Sequence, residues 1–592
     1  MTFEIAFVLI VLLLMMVGLI FEIARPDFIL FLTLTVFLLS GIITTEEALR
    51  GFSNEGMITI ALLFIIAGAI QKSGIADRIV TKLLGNGKSD RLTLLKVLFP
   101  IAGFSGFLNN TPIVVTLTPI FKKWCTDHGI SPSKFLIPLS YATVLGGTMT
   151  LIGTSTNLVV HGMLLESGQE GFSFFQLGVV GVPATIIGIL YIVTIGYRIL
   201  PNHKVMTETV KEHSREYLAE LIVEPNFSHI GNTIKEAGLR SLKGLFLIEI
   251  IRDNDRIYPV KSTTKLKSGD RLVFTGLIST IAELQHKKGL RLETGSEMTL
   301  DTLKNGAAQL VEAVVSNNST LINKKIKHTN FRSKFDSGVI AVHRNSERVK
   351  SKIGDITLKA GDTLLLLCGA DFPKKIESTS DFYVTTQLDT PPILENQKKG
   401  WLSLFSLLFM VLLVTLNIIS MLKAMALVVV FLIIAKVITA EEIKRSIQFN
   451  VLLLVASAFG VGIAMLESGT ATWIAKGLVN IGEPLGVIAV LTSIYLVTNL
   501  FTEIITNSAA AVIMFPIGME VANQMSVDPI SFVVAITIAA SAGFSTPIGY
   551  QTNLIVYGPG GYKFSDYLKV GIPLNILIMI VTIIIVNLVW IN

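Results

Sequence analysis

Between Phe107 and Thr118 the chain reads FLNNTPIVVTLT, and between Ile504 and Phe515 it reads IITNSAAAVIMF. Each stretch sets an asparagine beside a hydroxyl residue, Asn110–Thr111 and Asn507–Ser508, inside sequence apolar enough to lie in a bilayer. Unspent backbone and amide groups are costly in hydrocarbon unless they line a cavity or hold a ligand, so two such stretches point to an interior polar site of the kind transporters build. A second pair follows them. TLIGTSTNL at Thr150–Leu158 is answered by TPIGYQTNL at Thr546–Leu554.

The echoes keep register. Glu46-Glu47 and Ser73-Gly74 recur 395 residues later as Glu441-Glu442 and Ser468-Gly469; Asn110 and Pro119 recur 397 later as Asn507 and Pro516. Gly153, Asn157 and Gly162 recur 396 later as Gly549, Asn553 and Gly558. Chance does not hold an offset over that length.

Composition agrees with a bilayer. Of 592 residues 51% are hydrophobic and 16% charged, against about 25% charged in a soluble domain. Apolar runs near 4–22, 27–43, 55–71, 138–161 and 176–199, then near 401–419, 421–438, 449–467, 530–557 and 571–591, are each read as a span, and the run near 485–500 as the first arm of a hairpin. The segments 92–121 and 485–518 are apolar but interrupted by Pro, Gly and Asn, and are read as hairpins with their polar tips inside the protein. Five spans plus one re-entrant hairpin per half invert the second copy. The net charge of +6 is scattered at span ends, which excludes a nucleic-acid surface. With both termini outside, Arg25, Lys72, Arg91, Lys122, Lys134, Arg198, Lys399, Lys444 and Lys569 fall on the cytoplasmic side, while Arg50, Lys423 and Lys476 fall outside. Cys125 and Cys368 are too few for a thiolate metal site or a disulfide framework.

Residues 201–398 change to charged, alternating sequence and are themselves double: Ser268-Gly269-Asp270 and the strand after it match Ala360-Gly361-Asp362 and its strand. Two small cytoplasmic α+β modules are expected, 201–290 and 291–398, each with one helix, near Ile234–Ala237 and Ile322–Lys327. They lie between membrane repeats 1–200 and 399–592. The fold class is thus a polytopic α-helical membrane protein of two inverted repeats with two inserted modules.

These residues carry a resemblance. The chain resembles the divalent anion:sodium symporters, whose signature is a Ser-Asn-Thr at each of two hairpin tips, and the branch of them with two inserted TrkA-C (RCK C-terminal) domains, often associated with sulfate. Here the signatures are Asn109-Asn110-Thr111 and Thr506-Asn507-Ser508. The departures favour a small oxyanion such as sulfate over a dicarboxylate. The resemblance implies substrate contacts at those six residues. It implies one sodium site of Ser105, Asn109, Asn110 and Gly153, and a second of Thr502, Ile505, Asn507 and Gly549. It further implies sodium as coupling ion with no organic cofactor, a homodimer in an inner membrane, and an elevator motion. Hard cations are suited by such neutral oxygens and unwound carbonyls. Alternatives stay open: a di- or tricarboxylate symporter, a sodium/proton antiporter using the carboxylate of Glu503, or an anion-binding membrane sensor. The modules are either a dimerisation platform or the seat of a small-molecule regulator; neither is preceded by a G-x-G-x-x-G fingerprint.

Overall fold

The computed structural model describes residues 2–591 apart from masked stretches, the longest of which are 203–216, 277–288, 293–308 and 385–396. The first part of the chain forms α1 (Phe3–Ile20), α2 (Pro26–Leu39), α3 (Thr45–Arg50), α4 (Glu55–Lys72), α5 (Ile75–Leu84), α6 (Asp90–Ser105), α7 (Asn110–Asp127), α8 (Leu136–Gly147), α9 (Ser155–Glu166) and α10 (Gly178–Tyr191). The last part repeats that order: α11 (Gln397–Thr415), α12 (Met421–Ile434), α13 (Ala440–Ser446), α14 (Phe449–Glu467), α15 (Thr470–Gly482), α16 (Val487–Thr502), α17 (Asn507–Gln524), α18 (Pro529–Ser541), α19 (Gln551–Tyr557) and α20 (Phe564–Val586). Both α10 and α20 run on into a π-turn, Ile192–Gly196 and Asn587–Ile591.

Local chemistry repeats with the helices. The repeated glutamates are caps. Thr44 starts α3 with its backbone N–H on Glu47 Oε2 at 2.7 Å and its hydroxyl accepting from Glu47 N; Thr439 and Glu442 do the same for α13, with 2.8 Å for the first bond. Such reciprocal capping satisfies two donors that a helix start leaves unpaired.

Among the described residues five helical stretches, Phe3–Ile20, Gly178–Ile199, Phe449–Glu467 and Phe564–Ile591 among them, are long and apolar enough to cross a membrane, and α2, α12, α16 and α18 are shorter apolar helices. Rows of apolar side chains stay exposed on outer helices, such as Ile576, Ile580, Ile584 and Leu588 on α20 and its extension. That is the surface of a helical membrane protein. At the centre stand α8, buried along its whole length, and α18, buried from Ser531 onward. The two parts interlock by exchange: α2 packs on α14 and α4 on α12, α9 lies against α17 and α18, and α19 lies against α7 and α8.

Two expected spans are not single helices. The run 138–161 is interrupted after Gly147 and resumes at Ser155; the run 530–557 is interrupted after Ser541 and resumes at Gln551. Gly146, Gly147, Gly153, Gly543 and Gly549 score as apolar sequence yet leave the backbone free to unwind and approach its neighbours. His161 therefore does not end a span; it lies mid-helix in α9, packed against Gly171.

The middle of the chain holds two five-stranded antiparallel sheets of identical plan. β1 (Tyr217–Val223), β2 (Leu245–Arg252), β3 (Asp255–Ile257), β4 (Arg271–Gly276) and β5 (Leu290–Leu292) are ordered β3-β2-β4-β1-β5. β6 (Gln309–Val315), β7 (Ser337–Arg344), β8 (Glu347–Arg348), β9 (Thr363–Cys368) and β10 (Phe382–Val384) are ordered β10-β6-β9-β7-β8, and the bulge at Leu247/Glu249 returns at Val339/Ala341. The helices expected in them are corrected: Ile234–Ala237 is a turn, closed by Ala237 N–H on the Thr233 carbonyl, and only Ile326–His328 of the second is helical, as a 3-10 turn. These segments are too short and too locally bonded for an α-helix. Cys125 and Cys368 are free and buried.

Candidate functional site: two polar tips

Each hairpin breaks at a four-residue tip, Gly106–Asn109 between α6 and α7 and Glu503–Thr506 between α16 and α17. At the first, Ser105 Oγ stands 2.5 Å from Asn110 Oδ1 and 2.8 Å from the Thr143 carbonyl oxygen. At the second, Thr502 Oγ1 stands 2.9 Å from Asn507 Oδ1 and 2.5 Å from the Ala540 carbonyl. Each cluster has three oxygens and one hydroxyl proton, which can serve one acceptor at a time. The remaining oxygens face one another in a buried setting. A hard cation is the ligand that chemistry suits.

The breaks in the central helices are pinned identically. Asn157 Nδ2 donates to the carbonyls of Gly147 (3.0 Å) and Thr150 (2.8 Å); Asn553 Nδ2 donates to those of Gly543 (2.8 Å) and Thr546 (3.0 Å). An interrupted helix leaves its last carbonyls short of in-helix partners, and one amide serves two carbonyls at each break, that of Thr150 also taking the Gly153 N–H at 3.4 Å. Thr150 Oγ1 then ties the break to the tip through the Gly106 carbonyl, and Thr546 Oγ1 through the Glu503 carbonyl at 3.1 Å. Gly147 is kept bare by the tip itself: a Cβ there would stand 2.9 Å from the Asn110 amide.

Between the two halves the symmetry stops. Tyr550 replaces the counterpart of Thr154, and its hydroxyl accepts from Asn110 Nδ2 at 2.7 Å while lying 3.3 Å from Thr154 Oγ1. Thr111 Oγ1 donates to Gln551 Oε1 at 3.2 Å. The start of α19 is thus bonded to the start of α7. Asn110 is spent at both ends of its amide, whereas Asn507 is half-buried with its oxygen on Thr502.

The expected site residues divide accordingly. Ser105 and Asn110 touch, as do Thr502 and Asn507. Gly153 lies against Gly147, beside the first cluster, and Gly549 lies against Glu503 beside the second. Asn109 Oδ1 accepts from Thr111 N at 3.4 Å and so caps α7; Thr506 is the cap residue of α17 and is exposed. Ser508 and Ile505 are buried. Not anticipated were the Thr143 and Ala540 carbonyls, the pinning role of Asn157 and Asn553, and Tyr550 and Gln551. Asn157 and Asn553 had a signal, since they keep the repeat offset.

Glu503 sits where the first tip has Gly106. Its Oε1 accepts from Ser545 N (2.7 Å) and Asn575 Nδ2 (2.9 Å). Its Oε2 is buried, has no hydrogen-bond partner among the described residues, and faces Gly549, where a Cβ would come within 2.6 Å of it. One tip carries a carboxylate and the other does not.

Comparison with known proteins follows the same lines. The profile of the citrate transporter family (CitMHS) matches residues 16–539 and 494–592. A protein of Chlamydomonas reinhardtii named "Putative sulfur deprivation response regulator" is 35% identical over 569 residues, covering 94% of this chain and 97% of its own. A transporter of Synechocystis, sll0640, is 32% identical over 94% of this chain and 93% of its own. Sodium/sulfate cotransporter 1 of Chlamydomonas reinhardtii is 23% identical over 94% and 86%. The solved Alcanivorax borkumensis YdaH transporter overlaps with a TM-score of 0.41 at 12% identity, over 91% of this chain and 86% of that one, a likeness too loose to argue from. The chain is a multi-pass membrane anion transporter, not an enzyme, and belongs to the divalent anion:sodium symporter family.

Proposed function

We propose that the protein couples sodium entry to the uptake of a divalent oxyanion, sulfate, across an inner membrane. The observation that carries this reading is the pair of oxygen clusters at Ser105/Asn110/Thr143 and Thr502/Asn507/Ala540, each short of protons. Sodium ions there, completed by carbonyls of Gly153 and of Ile505 and Gly549, would offset the charge of a dianion held between the tips. The anion would meet the N-terminal ends of α7 and α17, whose unpaired N–H groups favour negative charge, with Thr111, Asn507 and Ser508 as hydrogen-bond donors. The names of the Chlamydomonas sodium/sulfate cotransporters support the same pair of substrates.

In this reading 1–200 and 399–592 are inverted repeats whose hairpins enter from opposite sides, both termini lie outside, and residues 201–398 form two cytoplasmic TrkA-C-like modules. Transport is an elevator motion within a homodimer. Purified protein in liposomes tests it: an inward sodium gradient should drive uptake of radiolabelled sulfate, and a proton gradient alone should not. Cation-driven proton flux without sulfate would replace the reading with an antiporter.

A further inference from the structure

The two sheets of the middle segment are copies, and each carries the same rigid turn. In the first, Arg252 pairs with Asp270 at 2.7 and 2.8 Å and the Lys267 N–H caps Asp270 at 2.8 Å; in the second, Arg344 pairs with Asp362 at 2.7 Å through both carboxylate oxygens and the Lys359 N–H caps it at 2.8 Å. Both aspartates are fully buried, so the turns are held by bidentate ion pairs in low dielectric. Their surroundings differ. A Cβ on Gly269, at the crest of the first turn, would meet nothing within 4 Å among the described residues. A Cβ on Gly361, at the crest of the second (φ +81°), would stand 2.5 Å from Leu554 Cδ1, in the middle of α19. The reverse also holds: a Cβ on Gly558, just past the end of α19, would overlap Thr363 Oγ1. Glycine on each side lets the partner's side chain fill the gap. Tyr383 of β10 also packs against the apolar core of the membrane helices.

Helix α19 spans about 10 Å. Its first residue and the one before it bond to Thr111 and Asn110 at the first tip, while its middle and end receive the second module. We infer that the Gly361–Thr363 turn is a docking element that engages α19 and holds the first tip in the arrangement seen here. It makes the second module, and not its copy, the one that controls the transport cycle. A ligand of the module biases transport to the extent that it favours or opposes the docked state. This inference rests on the transport reading for its readout.

The geometry supplies the test. A Cβ at residue 558 would lie 3.4 Å from Thr363 Cβ, close to the roughly 3.5–4.5 Å that disulfides span. The full-length double variant T363C/G558C, reconstituted in liposomes, should form an intramolecular disulfide under a mild oxidant, lose sodium-driven sulfate uptake at least about tenfold, and regain it on reduction. Wild type is the control; burial pushes the Cys368 thiol above its ordinary value, which keeps it unreactive. Failure to cross-link, or unchanged uptake by the cross-linked protein, overturns the proposal. If the reduced double variant does not transport, T363C alone decides: its labelling by a maleimide should quicken when sodium and sulfate start turnover, and a rate that does not change overturns docking. Uptake by wild type, measured in parallel, judges the sulfate reading separately, since cross-linking does not depend on the identity of the anion.

Discussion

The two hairpin tips share a frame and differ in what is mounted on it. In both, a hydroxyl at the end of the first arm faces an asparagine oxygen and a carbonyl from the central helix, and a second asparagine pins the break in that helix. On this common frame the first tip carries Gly106 with Thr154, and the second carries Glu503 with Tyr550. The first tip is closed, its Asn110 bonded across to Tyr550, while the second leaves Asn507 half-buried beside a carboxylate oxygen without a hydrogen-bond partner among the described residues. Duplication preserves the frame of hydroxyl, asparagine and carbonyl at each tip. Divergence falls on the residues that meet the other half of the molecule, or that set the charge of one site.

The largest effect is expected at the shared asparagines. N110A and N507A should each lower sulfate uptake by about 30- to 150-fold, equivalent to about 2–3 kcal/mol, because an oxygen is lost from a buried cluster whose partners stay behind. N110A also cuts the bond to Tyr550, so its loss should be the greater; near-normal uptake in either variant at equal membrane expression removes the site assignment. Next come the pins. N157A takes the donor from the Gly147 carbonyl, at about 1–3 kcal/mol, and leaves the Thr150 carbonyl the long Gly153 N–H at 3.4 Å. N553A takes the donor from the Gly543 and Thr546 carbonyls and removes one of two acceptors of the Ser140 hydroxyl, Asn553 Oδ1 at 2.7 Å, the other being Thr552 Oγ1 at 2.8 Å. Melting of the detergent-purified protein should fall in both variants and further in N553A, and equal small shifts would mean the breaks are held otherwise.

Smaller changes separate the two cation clusters. S105A and T502A should each raise the sodium concentration for half-maximal uptake by about fivefold, a neutral oxygen being worth about 1 kcal/mol, with sulfate affinity at saturating sodium little altered. The smallest and most discriminating effect is coupling. E503Q should raise the sodium requirement and combine non-additively with T502A, its neighbour, but additively with S105A on the other tip. Equal coupling to both would show that the carboxylate acts on the fold and not on one site.

Much of this was legible in the letters for a physical reason. Side chains kept in both copies leave a trace, so Asn110/Asn507 and Asn157/Asn553 stand out by their offset, while Ser105 and Thr502 follow from the family resemblance. Carbonyl ligands leave no such trace, since every residue has one, and Thr143 and Ala540 became visible only when α8 and α18 were placed beside the tips. Tyr550 and Gln551 were passed over because they break the repeat, which is where the halves must differ to touch. The helix breaks after Gly147 and Ser541 hid inside apolar runs, because glycine carries no charge to interrupt such a run while it frees the backbone. In the modules, short turns share the composition of helices, and the contact of one module with α19 depends on an approach between segments nearly two hundred residues apart that no local pattern encodes.

The central claim is that the duplicated oxygen clusters carry sodium in with the anion. Dual-label uptake tests it most directly: purified protein in liposomes is given radiolabelled sodium and radiolabelled sulfate together, and the entry of each is followed with and without the other. The account predicts that the two labels enter together, that each depends on the other, and that both are lost in N507A. Sulfate entry unaffected by removing sodium, or sodium entry unaffected by removing sulfate, would contradict it.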